Sequence, residues 1–261
     1  MALLQGKVAM ISGVGGGLGR DAALLFADEG AELVLLARSR TVIDPVAAEV
    51  VARGRSALAL TADVGVAGDC ARAVEAAIGR FGRIDVLINV VYRSAYVRLE
   101  DCTPDIAQWR ASFDMNVWAT MQMTRAVLPH MIARHAGRIV MVNTMMSDMP
   151  MAGAGAYAGS KSALQQITRT LALELAPHGI RVNGMHPGWM WGPQVQSVMQ
   201  QRAIEAGTTP EQEADKVRAQ IPLGYIPPTS EYAGTLLYLA SELSNPVTGQ
   251  SIHVNGGQWL H

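Results

Sequence analysis

A chain of 261 residues with 49% hydrophobic and 16% charged residues carries enough apolar matter for a sizeable core, which excludes a disordered chain. A formal net charge of -1 gives no drive toward nucleic acid or an acidic membrane, and no Lys/Arg cluster is longer than Arg38-Ser39-Arg40. Two cysteines, Cys70 and Cys102, are too few for a disulfide framework. No apolar stretch reaches the ~18 residues of a membrane span, and no signal-peptide pattern precedes the first apolar run. The expectation is a cytoplasmic protein with reduced thiols and no nucleic-acid or membrane partner.

Short runs rich in β-branched and aliphatic residues predict strands over 8–11, 32–36, 57–61, 86–89, 138–143, 181–186 and 250–254. Between them, amphipathic stretches predict helices over 18–29, 42–53, 70–81, 105–134, 157–176 and 229–239. Near-continuous apolar strands, alternating with helices, imply an α/β fold with a parallel sheet covered on both faces. No linker, repeat or low-complexity tract divides the chain, so a single domain over 1–261 is expected. Two connections break the rhythm: 145–155, rich in Met and Gly, and 189–228, which reads as an irregular substrate loop or lid within the domain.

The first strand runs into Ser12-Gly13-Val14-Gly15-Gly16-Gly17-Leu18-Gly19, which opens the first helix. Glycines there let the backbone approach a pyrophosphate, and the helix aims free N–H groups and its positive dipole end at the phosphates. Strand, turn and helix in this order give the context that the dinucleotide fingerprint requires. The second strand ends Leu35-Leu36-Ala37-Arg38-Ser39-Arg40. No acid is available there to accept from ribose hydroxyls, whereas Arg38, with Ser39 beside it, offers a planar cation for a 2′-phosphate. NADP(H) is therefore favoured over NAD(H). Asp63-Val64, after the third strand, suits either an adenine contact or a turn-capping acid.

Tyr157-Ala-Gly-Ser-Lys161 places a phenol and an amine four residues apart, on one face if the segment is helical. A nearby ammonium favours the phenolate, so the pair can serve as general acid in reduction and general base in oxidation.

These motifs, at their mutual distances, resemble the short-chain dehydrogenase/reductase family across essentially the whole chain. The resemblance implies a single Rossmann-type three-layer sandwich with a seven-stranded parallel sheet and helices on both faces. It also implies a homotetramer or homodimer, and hydride transfer between nicotinamide and a carbonyl or alcohol. The family's Tyr-x-x-x-Lys falls on Tyr157 and Lys161, with Lys161 also holding the nicotinamide ribose. Its active-site Ser falls on Thr144, and its relay-water Asn on Asn116. Cofactor contacts fall on Gly13, Gly15, Gly17, Leu18, Gly19, Arg38, Ser39, Asp63, Val64, Asn89, Pro187, Gly188 and Met190. Arg181-Val-Asn183 and Val247-Thr-Gly-Gln-Ser-Ile-His-Val-Asn-Gly-Gly257 match the family's last two strands.

The chain departs from the family pattern at four places. The usual Asn-Asn-Ala-Gly reads Asn89-Val90-Val91-Tyr92, the Pro-Gly-x-x-x-Thr reads Pro187-Gly-Trp-Met-Trp-Gly192, Ser12 replaces a Thr, and Thr144 replaces the Ser, with Ser147 nearby as a substitute hydroxyl. By the same resemblance, the segments after strands four, five and six line the substrate pocket. They hold Tyr92, Tyr96, Met145, Met146, Met149, Met151, Trp189, Trp191 and Met199. Flexible Met and flat aromatic surfaces suit a bulky, mainly hydrophobic substrate, such as a cyclic, aromatic or terpenoid ketone or alcohol. No basic residues cluster there to bind a carboxylate or an acyl-carrier phosphate; Arg93 and Arg98 are the only candidates, so an acyl-thioester substrate is less favoured. An NAD-dependent alcohol dehydrogenase on the same fold and a low-activity NADP(H)-binding redox sensor are the alternatives. No Gly-x-Ser-x-Gly elbow, Walker loop or zinc motif supports a hydrolase or transferase, and no metal is expected.

Overall fold

The computed structural model describes residues 2–260. Seven strands form one sheet: β1 (Val8–Ser12), β2 (Glu32–Ala37), β3 (Ala57–Thr61), β4 (Val86–Asn89), β5 (Gly137–Val142), β6 (Ile180–Pro187) and β7 (Ser251–Val254). All neighbours pair in parallel, in the order β3-β2-β1-β4-β5-β6-β7. The central strands β1, β2 and β4 are apolar along most of their length because both faces are covered. In β1, Ala9 and Ile11 face one core, together with α1 (Leu18–Asp28), α2 (Arg40–Ala52) and α9 (Thr229–Ala240). Val8 and Met10 face the other, with α3 (Ala67–Phe81), α5 (Thr120–Ala133) and α6 (Gly155–Leu175). A period of two on a two-sided sheet leaves no polar face to show in the sequence. The result is the expected Rossmann-type three-layer α/β sandwich.

The strand order reverses between β1 and β4. In an open parallel sheet such a reversal leaves a crevice outside the carboxyl ends of the strands. The loops after β1, β2, β3, β4, β5 and β6 all meet there.

Two expectations about elements are corrected. The single helix expected over 105–134 is α4 (Ala107–Phe113), a π-helical turn (Asp114–Ala119) and α5. The extra residue in that turn breaks the regular ladder next to Asn116, a place where π-bulges often serve function. The stretch 189–228, expected to be irregular, holds α7 (Pro193–Ala206) and α8 (Pro210–Arg218). Their boundaries carry legible signals. Pro193 stands at the first turn of α7 and Gly207 closes it with a φ of 65°. Thr209 and Gln212 form a reciprocal capping box on α8. Met199, Ala214, Val217, Ile221 and Ile226 form a small core of their own beneath these helices. Among the described residues, no helix is long and apolar enough to cross a membrane.

Candidate active site

A cleft of about 1040 Å3 opens along the carboxyl ends of the strands. One end is built by the glycine turn. Gly13 has a φ of 93°, and a Cβ there would lie 2.8 Å from the Val91 backbone nitrogen, so the loop after β4 lies directly against it. A Cβ on Gly19 would lie 2.8 Å from the Gly13 carbonyl oxygen, which fixes the close start of α1 on the turn. Gly15, Gly16, Gly17 and Leu18 line the cleft, and no side chain caps α1. Its first N–H groups are left for an anion.

Arg38 and Ser39 line the same end. Arg38 is exposed and, among the described residues, has no carboxylate within 4 Å, whereas Arg40 is drawn to Asp44 at 3.3 Å within α2. Asp63 and Val64 lie beside them, and Asp63 Oδ1 accepts from the Gly65 backbone at 2.9 Å. The two readings of Asp63 are thus compatible: one oxygen closes a turn while the residue lines the cleft.

At the other end stand Thr144, Tyr157 and Lys161. Lys161 is buried and donates from Nζ to the Val142 carbonyl at 2.8 Å. Burial pushes its pKa down to about 7. Burial also raises the Tyr157 phenol, with Tyr96 adding to the rise and the Thr144 hydroxyl opposing it. The lysine does not lower the phenol as expected. Desolvation dominates both groups, and the lysine points its amine at a carbonyl. The Tyr96 ring centroid is 6.0 Å from that of Tyr157. Thr144 accepts from the Met146 backbone at 3.3 Å, which leaves its O–H to donate elsewhere.

Ser147 is turned away: it donates to Asn143 at 3.1 Å and does not line the cleft, so it is no substitute hydroxyl. Asn89, expected at the cofactor, is buried under the floor. It bonds Ser12 at 2.9 Å and Thr124 at 3.1 Å, and so ties β1 to α5. Asn116 does not reach the cleft either. Its amide is spent on both backbone groups of Arg93, at 2.7 and 2.9 Å, and on Ser160 at 2.8 Å. It thereby anchors the loop after β4 to α6. Trp191 packs in the core under α7 and α8 with Arg218 over its ring at 5.8 Å, and Met199 is buried there; neither lines the cleft.

The remaining expected wall is assembled. Tyr92, Tyr96, Met145, Met146, Met149, Met151 and Trp189 line one half, and Pro187, Gly188 and Met190 lie between the two halves. Arg93 and Arg98 do not line it; Arg98 pairs with Glu100 at 3.4 Å. Arg202 does, half-buried, with its guanidinium 5.1 Å from the centre of the Trp189 ring. Sequence reasoning missed it because α7 was not expected. On that helix Val195, Val198 and Arg202 share the face that lines the cleft. Thr229 was missed as well. A Cβ on Gly192 would lie 3.0 Å from Thr229 Cγ2, so the glycine that departs from the family pattern makes room for this threonine. Thr229 Oγ1 donates to Asp21 at 2.6 Å and lines the cleft.

The family model for enoyl-(acyl carrier protein) reductase matches residues 13–258. The oxidoreductase UcpA of Escherichia coli K12 is 35% identical over 264 residues, covering 100% of this chain and 97% of that one. An NAD+-bound xylitol dehydrogenase structure superposes with a TM-score of 0.90 at 29% identity, covering 97% and 99% of the two chains. An actinorhodin polyketide ketoreductase variant with NADPH superposes with a TM-score of 0.91 at 28% identity, covering 99% of each. The chain belongs to the short-chain dehydrogenase/reductase family, an oxidoreductase family that binds a nicotinamide cofactor.

Proposed function

We propose that this protein transfers hydride between NADP(H) and the carbonyl or alcohol of a bulky, mainly hydrophobic substrate, as a ketone reductase or alcohol dehydrogenase. The observation that carries the cofactor choice is Arg38: an exposed guanidinium at the end of β2, free of any carboxylate within 4 Å among the described residues, lining the cleft where an NAD enzyme would place an acid. The substrate reading rests on the Met, Tyr and Trp side chains around Tyr157, and on likeness to a polyketide ketoreductase.

The residues present fit a dinucleotide. Gly15, Gly16, Gly17 and the uncapped α1 would hold the pyrophosphate, Arg38 and Ser39 the ribose phosphate, and Asp63 with Val64 the adenine. Pro187, Gly188 and Met190 would flank the nicotinamide. When bound, the nicotinamide supplies or accepts the hydride. Tyr157 gives its Oη proton to the substrate oxygen in reduction and takes it back in oxidation; burial keeps the phenol protonated, which suits the donor role. Thr144 donates a hydrogen bond to the same oxygen. Lys161, one helical turn along α6 and with a pKa near neutrality, resupplies the proton to Tyr157. Asn116 acts by holding the π-helical turn and the Arg93 segment in place.

The test is an assay of NADPH and NADH oxidation over a panel of bulky ketones. A preference for NADPH that Arg38→Asp abolishes supports the reading; an NADH preference in the unaltered protein overturns the cofactor choice.

Arg202 favours a refinement: a substrate whose apolar body carries a carboxylate or phosphate away from its carbonyl. A homotetramer or homodimer is also proposed, supported by Trp118 in the π-helical turn and Leu173 on the neighbouring α6, 55% and 80% exposed. Light scattering of the purified protein tests it. The reduced, unpaired Cys70 and Cys102 support a cytoplasmic location.

A further inference from the structure

Beyond the cleft, the edge of the sheet brings together three side chains that the hydride chemistry does not use. We propose that Asp148, His186 and His253 form a binding site for a divalent transition-metal ion of the Zn2+ type.

The fold assembles the trio. The parallel register of β6 and β7 sets His186 opposite His253, with ring centroids 4.8 Å apart. Asp148 directly follows the 3-10 turn Met145–Ser147 and reaches over both rings. Its Oδ2 lies 3.7 Å from His186 Nδ1 and 3.4 Å from His253 Nε2. One ligand atom from each residue falls within 4.8 Å of the others. A tetrahedral ion with bonds of about 2.0–2.1 Å holds its ligand atoms roughly 3.3–3.5 Å apart. Two of the three separations are within a few tenths of that range, and the ion would draw the two imidazoles together.

His186 supplies an independent reason to expect a ligand. The ring is fully buried, and neither of its nitrogens has a hydrogen-bond partner among the described residues. A buried polar group left without a partner is costly, and packing alone does not account for it. The neutral imidazole is the form that ligates. Room is kept for the ring: a Cβ on Gly184 would lie 3.1 Å from His186 Nε2.

Three protein ligands leave a fourth position. A cavity of about 220 Å3 adjoins Asp148 and His253, lined further by Gln165, Gln250, Ser251 and Arg169, and has space for water. Two imidazoles with a single carboxylate suit Zn2+, Ni2+ or Cu2+. Mg2+ and Ca2+ ask for more oxygens, and the Arg169 guanidinium in the cavity wall further disfavours an ion that relies on charge alone. The ion would be structural. Asp148 trails the turn that carries Thr144, and His186 precedes the Pro187-Gly188 turn, so ligation would tie both active-site segments to the edge strand.

The test titrates chelator-treated protein with Zn2+ by calorimetry and follows thermal unfolding with and without the ion. Asp148→Asn and His253→Gln are run in parallel, since both side chains are partly exposed and their replacement leaves the buried core alone. One ion per chain is expected, with a rise in Tm. Each variant should weaken binding by at least about tenfold, given that removing even an outer-shell partner costs 10–100-fold, and should lose the rise in Tm. Absence of one-to-one binding, or a variant that binds as tightly as the unaltered chain, overturns the site and points to surface histidines such as the His135–His178 pair.

Discussion

Lys161 donates from Nζ to the Val142 carbonyl at 2.8 Å, so the last carbonyl of β5 holds the buried amine one helical turn from Tyr157. The strand end thus sets where the proton-supplying group sits. Burial lowers the Lys161 pKa to about 7, well below the ordinary lysine value. Between pH 7 and the unfolded lysine pKa, the unfolded chain then binds more protons than the folded one, and stability rises with pH. The Cys70 thiol, pushed up to about 11 by burial, works the other way above pH 9, where the unfolded thiol ionises first. Denaturant unfolding of the cofactor-free protein should therefore show stability increasing from pH 7 to 9. Lys161→Met should remove that slope; a slope that persists in the variant would show that another group carries it.

Replacing Tyr157 with Phe removes the proton donor and leaves the ring packed against Tyr96. Turnover should fall by about 10²–10⁴-fold, the usual scale of general acid–base catalysis. NADPH binding, read by quenching of tryptophan fluorescence, should be retained.

Thr144 and Ser147 separate cleanly. Thr144→Ala should lower kcat by about 10²–10³-fold, as loss of a donor to a developing oxyanion does, and Thr144→Ser should restore most of it. Ser147→Ala should leave kcat unchanged, because its hydroxyl serves Asn143.

Arg38 and Arg202 are read by KM. Arg38→Asp should raise the NADPH KM by roughly 10–100-fold, the value of a charge-assisted hydrogen bond, with little effect on NADH. Arg202→Gln should erase any preference for an oxo acid over its methyl ester while sparing the ester; a preference unchanged in the variant removes Arg202 from substrate recognition.

Gly13→Ala should lower stability and weaken cofactor binding together, since the new methyl meets Val91 at 2.8 Å from a backbone at φ 93°. The cost expected from such strain is about 1–3 kcal/mol. Thermal melts with and without NADPH check both effects.

Much of this was legible in one dimension. The glycine turn, the Tyr157/Lys161 pair, the acid-free end of β2 and the apolar strands are local patterns, and each is specified by neighbours within a few residues. From them the sequence by itself determined the parallel α/β sandwich, the family, and the end of the sheet where a dinucleotide would lie. What only the tertiary structure decided were relationships between distant segments. Asn89 and Asn116 looked like site residues, but long-range partners such as Thr124, Arg93 and Ser160 consume their amides. Arg202 reaches the cleft because α7 folds over Trp189, and a Cβ on Gly192 would crowd Thr229. Asp148, His186 and His253 lie far apart in sequence; the β6–β7 register sets the two histidines side by side, and the turn after β5 brings Asp148 to them. Polar side chains are committed by whichever partner the packing brings within about 3 Å, and spacing along the chain does not encode that distance.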